Sequence, residues 1–196
     1  MAAEHWDYVP DIIAMAKGFA AGYAPLGAMA AQRHIVDAVM AQGGFAHGYT
    51  YAGNPLACAA GLAVLEEVQR QNLVEAAQVQ GGKLRAGLQD LMSRHGFIGD
   101  VRGKGLLLAF ELMSDRGSKQ PLPVGMNAHI ELVEEAYKRG LIIYSRRTRG
   151  GLEGDHFMVC PPLTVSDSEI GEILDGLDAS LHSFALRHGL DSRAVA

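Results

Sequence analysis

The second half of the chain alternates helix-like and strand-like segments, and this pattern limits the folds that it can adopt. Leucines and alanines spaced at about 3.6 residues predict a helix over residues 72–95, and a second amphipathic helix is expected at Asn127–Arg139. Between them, Ile98–Leu112 predicts strand, turn and strand, with glycines at the bend. Such an alternation is typical of a small α/β unit.

Two further strands are expected near the end of this half, at Leu141–Tyr144 and Phe157–Cys160. An arginine- and glycine-rich loop, residues 145–155, is expected to join them. Ser166 or Asp167 is expected to cap a last helix, and a frayed tail is expected to follow it.

The first part of the chain has fewer strand signals. The expected elements are, in order, a short helical turn at Asp11–Ala16, a buried strand at Ala28–Ala31, a helix at Gln32–Met40, a loop at Gln42–Asn54 and a helix at Leu56–Gln71. We predict two domains: the remainder of a larger sheet domain with a connecting helix over residues 1–72, and a complete small C-terminal domain over residues 73–196.

Composition and charge narrow the functional classes. Hydrophobic residues make up 48% of the 196 residues, enough for a buried core. The net charge of −5 and a single basic stretch, Lys138–Arg149, disfavour a nucleic-acid binder. With no bilayer-length apolar run and no visible secretory signal, a soluble cytoplasmic chain is expected. Cys58 and Cys160 stand among apolar neighbours and are expected to be buried free thiols; their spacing does not suit a metal site.

Lys17 is the first candidate for chemistry. It stands alone in the apolar segment Ala14–Phe19. A free lysine amine has a pKa of about 10.4, and apolar surroundings disfavour its charged form, so that such a lysine can form an imine with a carbonyl compound. A surface lysine at a helix end explains the same residues, and the local context alone favours this simpler interpretation.

The loop His47–Pro55 is the second candidate, because it runs into a helix start. Its backbone N–H groups and the Thr50 hydroxyl can hold a phosphate. A surface loop that ends in a helix cap accounts for the same residues about equally well.

Three arginines, Arg146, Arg147 and Arg149, form the third candidate. A guanidinium can grip a carboxylate with two parallel hydrogen bonds, and a mobile glycine-rich loop can move it into a site. A solvated charge cluster is the favoured interpretation for at least two of the three.

Four segments together resemble the class III aminotransferases, the family of omega-amino-acid and related transaminases that depend on pyridoxal 5'-phosphate (PLP). They are PDIIAMAKGFAAGYAPLGAMA (10–30), HGYTYAGNPLACAAGLAVLE (47–66), GDVRGKGLLLAFEL (99–112) and GDHFMVCPPL (154–163). They occur in the family's order and spacing and cover nearly the whole chain. The combination is specific although each part alone is not, and it strongly favours Lys17 as the cofactor lysine.

The resemblance implies a fold type I structure, an α/β fold in which Lys17 forms a Schiff base with PLP. It implies that Thr50, with Tyr49 beside it, binds the cofactor phosphate and reaches into the site of a neighbouring subunit, hence a homodimer with shared active sites. Arg149 and Arg146 are the preferred residues for the substrate carboxylate. The implied reaction transfers an amino group from an amine or omega-amino acid to a keto acid such as pyruvate.

The chain departs from the family at its start. Family members have a longer N-terminal part, which supplies an acidic residue for the pyridine nitrogen, a phosphate-binding turn and an aromatic ring that stacks on the cofactor. Met1–Trp6 begins just after the expected place of that acidic motif, so an incomplete chain is expected. Two alternatives stay open: a non-catalytic remnant that binds a partner, and a PLP-dependent aminomutase or decarboxylase on the same scaffold.

Overall fold

The computed structural model describes residues 2–190, and the chain divides into two compact units, residues 1–71 and 72–196. Their assignment to a large and a small domain stays a prediction. Most of the tail that is expected to fray, residues 191–196, lies outside the described residues. Within the described range, no helix combines the length and apolar character that crossing a bilayer requires.

The first unit contains a two-stranded antiparallel sheet of β1 (Ile12–Met15) and β2 (Ala28–Ala31). Strand β2 lies where the sequence predicts it, but the prediction that it is buried is wrong: none of its residues is buried, and Met29 is 62% exposed. The helical turn expected at Asp11–Ala16 is wrong, because β1 occupies these residues. The consecutive β-branched residues Ile12-Ile13 favour an extended backbone, and β2 offers a partner for its hydrogen bonds.

Two helices complete this unit, α1 (Arg33–Ala41) and α2 (Pro55–Arg70), both close to the predicted positions. Asn54 caps α2, since its side chain accepts hydrogen bonds of 3.1 Å from the backbone N–H groups of the second and third helical residues. Of the described residues of this unit, only Ala20 and Gly61 are buried, so it has little core of its own.

The second unit has an antiparallel sheet and three helices. In chain order the elements are α3 (Leu73–Arg94), β3 (Ile98–Lys104), β4 (Leu107–Asp115), β5 (Gln120–Pro121), α4 (Ala128–Lys138), β6 (Tyr144–Thr148), β7 (Glu153–Val159) and α5 (Asp167–His188). The strand order is β3-β4-β7-β6, and the short β5 pairs with β4. The three helices and the strand pair β3–β4 lie close to their predicted positions.

One face of this sheet forms the core with the helices. Phe110 on β4 and Phe157 on β7 are buried and stack with their ring centroids 5.0 Å apart. Leu88 of α3, Leu132 of α4 and Leu177 of α5 belong to the same buried cluster. Successive strand residues point to opposite faces, so the residues between these buried ones form the other face.

Ser166 begins α5 with a reciprocal cap, in line with the sequence. Its hydroxyl accepts a hydrogen bond of 3.3 Å from the backbone N–H of Glu169, and the Glu169 carboxylate accepts one of 2.7 Å from the backbone N–H of Ser166.

The arginine segment differs from the prediction. Strand β6 begins at Tyr144, where the predicted strand Leu141–Tyr144 ends, and it continues through Arg146 and Arg147. Its backbone pairs with β7, which itself begins at Glu153. The predicted loop 145–155 is therefore wrong apart from a short turn after β6, because pairing with β7 holds most of these residues extended.

Both cysteines, Cys58 and Cys160, are free and exposed, so the prediction that they are buried is wrong. Their neighbours in sequence are apolar. Neighbours along a helix or a strand point in different directions, however, so apolar flanking residues do not bury the residue between them.

Candidate active site

Lys17 follows β1 directly and starts a short 3₁₀ turn, Lys17–Ala20. Its backbone φ of +54° is in the left-handed region, which costs a non-glycine residue roughly 1–2 kcal/mol. The side chain is exposed and makes no hydrogen bond or ion pair to any described residue. The apolar surroundings expected from its neighbours are thus not found in this unit. Strained backbone of this kind is concentrated at functional sites.

Helix α2 supports the segment that follows Lys17. A Cβ atom on Gly61 would lie 2.4 Å from Cδ2 of Leu26 and 3.6 Å from the carbonyl oxygen of Phe19. A larger residue at this position would require the Leu26 side chain to move, so the close packing of α2 favours a glycine. The space beside Gly18 is open instead, with no heavy atom within 4 Å of its Cβ position. The turn is held from one side and leaves room next to the lysine.

Thr50 and Tyr49 lie in the turns that lead into α2. Both are exposed, Tyr49 to 80%. The rings of Tyr49 and His47 form a T-shaped contact with their centroids 5.3 Å apart. Two N–H groups of the first turn of α2 are already bound to Asn54. A phosphate would therefore be held by the Thr50 hydroxyl and by other backbone N–H groups rather than by these two.

Arg147 is held inside the second unit. Its side chain is 11% exposed, its Nε lies 3.1 Å from Oδ1 of Asp155, and its Nη2 donates to the carbonyl oxygen of Val124 at 2.8 Å. These contacts join β6, β7 and the turn before α4. The guanidinium of Arg147 is thus occupied by structural partners.

The other two arginines differ from each other. Arg149 is exposed and pairs with Glu153 across the turn between β6 and β7. Arg146 lies over the ring of Tyr144, with Cζ 5.0 Å from the ring centroid, and donates to the Tyr144 hydroxyl. Among Arg146, Arg147 and Arg149, Arg146 is the one that no carboxylate of the described residues neutralises.

The sequence did not single out Asp155, which is 1% exposed. Besides Arg147, it accepts a hydrogen bond of 3.3 Å from the backbone N–H of His129 in the first turn of α4. Its carboxylate thus acts at a helix N-terminus, where negative charge is favourable. The Nδ1 atom of His129 lies 3.1 Å from the same oxygen but lacks hydrogen-bond geometry. The sequence signal that could have identified Asp155 was a charged residue inside the largely apolar stretch Gly154–Cys160.

The family described as Aminotransferase class-III matches residues 1–181. This chain belongs to the class III aminotransferases. Its structure is an α/β fold of the PLP-dependent transaminases, fold type I, and pyridoxal 5'-phosphate is the cofactor of this family.

Individual relatives of the chain are also described as aminotransferases or transaminases. The chain is 38% identical over 178 residues to an uncharacterized aminotransferase, YodT, of Bacillus subtilis (strain 168), covering 89% of this chain and 40% of that one. It is 33% identical over 193 residues to a taurine–pyruvate aminotransferase of Bilophila wadsworthia, and the match covers 95% of this chain and 42% of that one. An amine transaminase from an uncultivated Pseudomonas species, solved in its PLP-bound form, superposes with a TM-score of 0.85 at 36% identity, covering 93% and 40%.

The class III aminotransferase chain therefore spans about two fifths of the length of these relatives. Its own residues fit covalent attachment of an aldehyde cofactor, because the Lys17 amine is exposed and unpaired among the described residues and the space beside Gly18 is open.

Proposed function

We propose that this chain is part of a PLP-dependent transaminase that transfers an amino group from an amine or omega-amino acid to a keto acid such as pyruvate. The observation that carries the proposal is the unpaired Lys17 amine on a strained turn, inside the segment that the aminotransferase family matches. A taurine–pyruvate aminotransferase among the relatives supports the reaction type.

Lys17 has two roles in this proposal. Bound PLP supplies an electron sink for the reacting substrate carbon. The Nζ atom of Lys17 would hold the cofactor aldehyde and, as a general acid–base, would take a proton from the substrate carbon and deliver it to the cofactor. The absence of a carboxylate partner among the described residues leaves Nζ free for both roles.

Thr50, together with Tyr49, is assigned to the cofactor phosphate, and Arg146 or Arg149 to the substrate carboxylate. The exposed and unpartnered Thr50 hydroxyl supports the first assignment, and the exposed guanidinium groups support the second. The family resemblance extends the proposal to a homodimer in which Thr50 serves the neighbouring subunit.

Borohydride reduction in the presence of PLP tests the cofactor lysine. We expect one pyridoxyl label per chain, located on Lys17 by peptide mass mapping, because Lys17 is the lysine that the family resemblance assigns to the cofactor; exposure alone does not distinguish it from Lys104. Lys17→Ala should abolish the label. Lys104→Ala is the matched control: it removes another exposed lysine, on β3, and should leave labelling unchanged.

A label spread evenly over the exposed lysines, or none on Lys17, would contradict the proposal and favour the non-catalytic remnant. An amine-to-keto-acid transfer assay then separates the reactions. A specific label on Lys17 in a protein that rearranges or decarboxylates its substrate without transfer would favour the aminomutase or decarboxylase.

A further inference from the structure

The turn that carries Lys17 has left-handed backbone at both ends. Lys17 begins it with a φ of +54°, and Ala21, directly after it, has a φ of +48°. Left-handed backbone is unfavourable for a residue with a Cβ atom. Two backbone hydrogen bonds of 3.2 Å cross the turn, from Phe19 to Ala16 and from Ala21 to Gly18. Strained residues of this kind persist only where the surrounding structure holds them, so the turn needs support from another element.

Helix α2 supplies this support. Ala20, the last residue of the turn, is fully buried, and Gly61 is the buried residue of α2. The Cβ position of Gly61 lies 3.6 Å from the carbonyl oxygen of Phe19 within the turn and 2.4 Å from Cδ2 of Leu26 beyond it. The space beside Gly18 is open. The turn is thus held on the side where Gly61 meets it.

The residue at position 61 therefore sets how closely α2 approaches the turn. A methyl group there would displace only the flexible end of the Leu26 side chain, which moves at small cost. A valine adds two methyl groups beyond Cβ, next to the backbone carbonyl of Phe19, and its stiff χ1 does not let them rotate away. The carbonyl can yield only if the turn moves, and Lys17 lies two residues before it in the same turn.

We propose that Gly61 is a positioning residue of the proposed transaminase: it lets α2 hold the turn, and the turn keeps Lys17 in the left-handed conformation from which its amine reaches the cofactor. The part played by Lys17 rests on the proposed function, whereas the support of the turn by α2 does not. Gly61 acts only through Lys17.

NMR of the 196-residue chain without PLP tests the support itself. A positive φ brings the amide and α protons of a residue close together, so we expect a strong intraresidue nuclear Overhauser effect at Lys17. Gly61→Val should lose it, and Gly61→Ala should keep it. Gly82→Val is the matched control, because it places the same side chain on a helical glycine of α3 whose Cβ position is open.

Borohydride labelling in the presence of PLP measures the consequence for the reaction. The readout is the ratio of the pyridoxyl label on Lys17 to the residual label on Lys104 in the same molecules, so that differences in reagent cancel. We expect Gly61→Val to lower this ratio about tenfold, the change in population expected when a left-handed residue loses its support. Gly61→Ala should stay within about twofold, and Gly82→Val should match the unmodified chain.

Urea denaturation separates a loss of position from a loss of fold. The main buried cluster belongs to the second unit, so the urea midpoint of Gly61→Val should equal that of the unmodified chain. A lower labelling ratio together with a lower midpoint would overturn the proposal, because the effect would then be structural.

An unchanged Overhauser effect and labelling ratio in Gly61→Val would also overturn it, as would the absence of a positive φ at Lys17 in the unmodified chain. A missing preference for Lys17 in the unmodified chain would instead refute the proposed function, and with it the role of Gly61 in the reaction. The NMR result would then still decide whether α2 holds the turn.

Discussion

Three cations surround the carboxylate of Glu135, whose side chain is only 6% exposed. Lys138 and Arg139 reach it from the same helix at 2.9 and 2.8 Å, and Arg187 reaches it from α5 at 2.6 Å. The hydrogen bond from Arg139, followed by those from Lys138 and Arg187, lowers the pKa of Glu135 from 4.5 to about 2. This residue joins α4 to α5 through charge.

Glu135→Gln should therefore destabilise the chain in a pH-dependent way. A carboxyl whose pKa is lowered by folding adds stability above its unfolded pKa and loses it as the pH falls through the folded value. We expect a deficit of about 1–2 kcal/mol in the free energy of unfolding at pH 7, measured by urea denaturation. The deficit should shrink between pH 4.5 and about 2. A deficit that is constant over this range would show that packing, not charge, is responsible.

At the residue scale, the sequence led to Lys17 and Thr50 through family segments, not through local chemistry. Local chemistry did not separate the three arginines, and the preference for Arg149 and Arg146 came from the resemblance, because the partners of these arginines are distant in sequence or set by strand pairing. Val124, which binds Arg147, lies 23 positions away, and His156 meets Arg146 only through the register of β6 and β7. Such contacts depend on tertiary structure and leave no local pattern.

Among the elements, α3 shows how closely a helix can approach a turn. A Cβ atom on Gly81 would lie 2.3 Å from the carbonyl carbon and oxygen of Gly105, in the bend between β3 and β4. The neighbouring Gly82 faces open space, with no heavy atom within 4 Å of its Cβ position. Two adjacent glycines of one helix thus have opposite environments.

The two glycines make a matched pair of variants. Gly81→Ala forces backbone atoms apart and should lower the free energy of unfolding by about 1–3 kcal/mol. Gly82→Ala should raise it by about 0.5–1 kcal/mol, because alanine loses less backbone entropy in a helix. Chemical denaturation of both variants measures the two effects. Equal effects in the same direction would mean that α3 does not contact the bend as described.

The long helices were predictable because their caps and periodicity are local. Ser166 and Asn54 mark the starts of α5 and α2 with the expected hydrogen bonds. Strands β1 and β6 were not, since a short extended segment is defined by its partner, here β2 or β7. A strand of four or five residues carries little sequence information: the position of β2 could be predicted, whereas those of β1 and β6 were assigned to a helical turn and largely to a loop.

The whole molecule consists of two units with unequal cores. The second unit buries a continuous cluster from its sheet and its three helices, including Phe110, Phe157 and Phe184. The described part of the first unit buries only Ala20 and Gly61. Hydrophobic burial is the main favourable contribution to folding, so the second unit holds most of the stability that the chain possesses by itself.

We expect the fragment of residues 72–196 to fold without the rest of the chain. It should unfold cooperatively in urea with a midpoint close to that of the 196-residue chain, because its core is complete within the fragment. Residues 1–71 form the matched fragment and should show no cooperative transition. A structureless 72–196 fragment, or a cooperative 1–71 fragment, would contradict this division of stability. Circular dichroism during denaturation measures both.

The edges of the two sheets have different consequences for solubility. The outer strands of the second unit carry charged side chains, Arg102 and Lys104 on β3 and Arg146 and Arg147 on β6, which disfavour pairing with another copy along these edges. Strands β1 and β2 contain only isoleucine, alanine and methionine and have no such protection. Self-association of the chain at high concentration is therefore expected to start at the lysine-bearing unit, and polar substitutions there, rather than on the larger sheet, are the rational route to a more soluble protein.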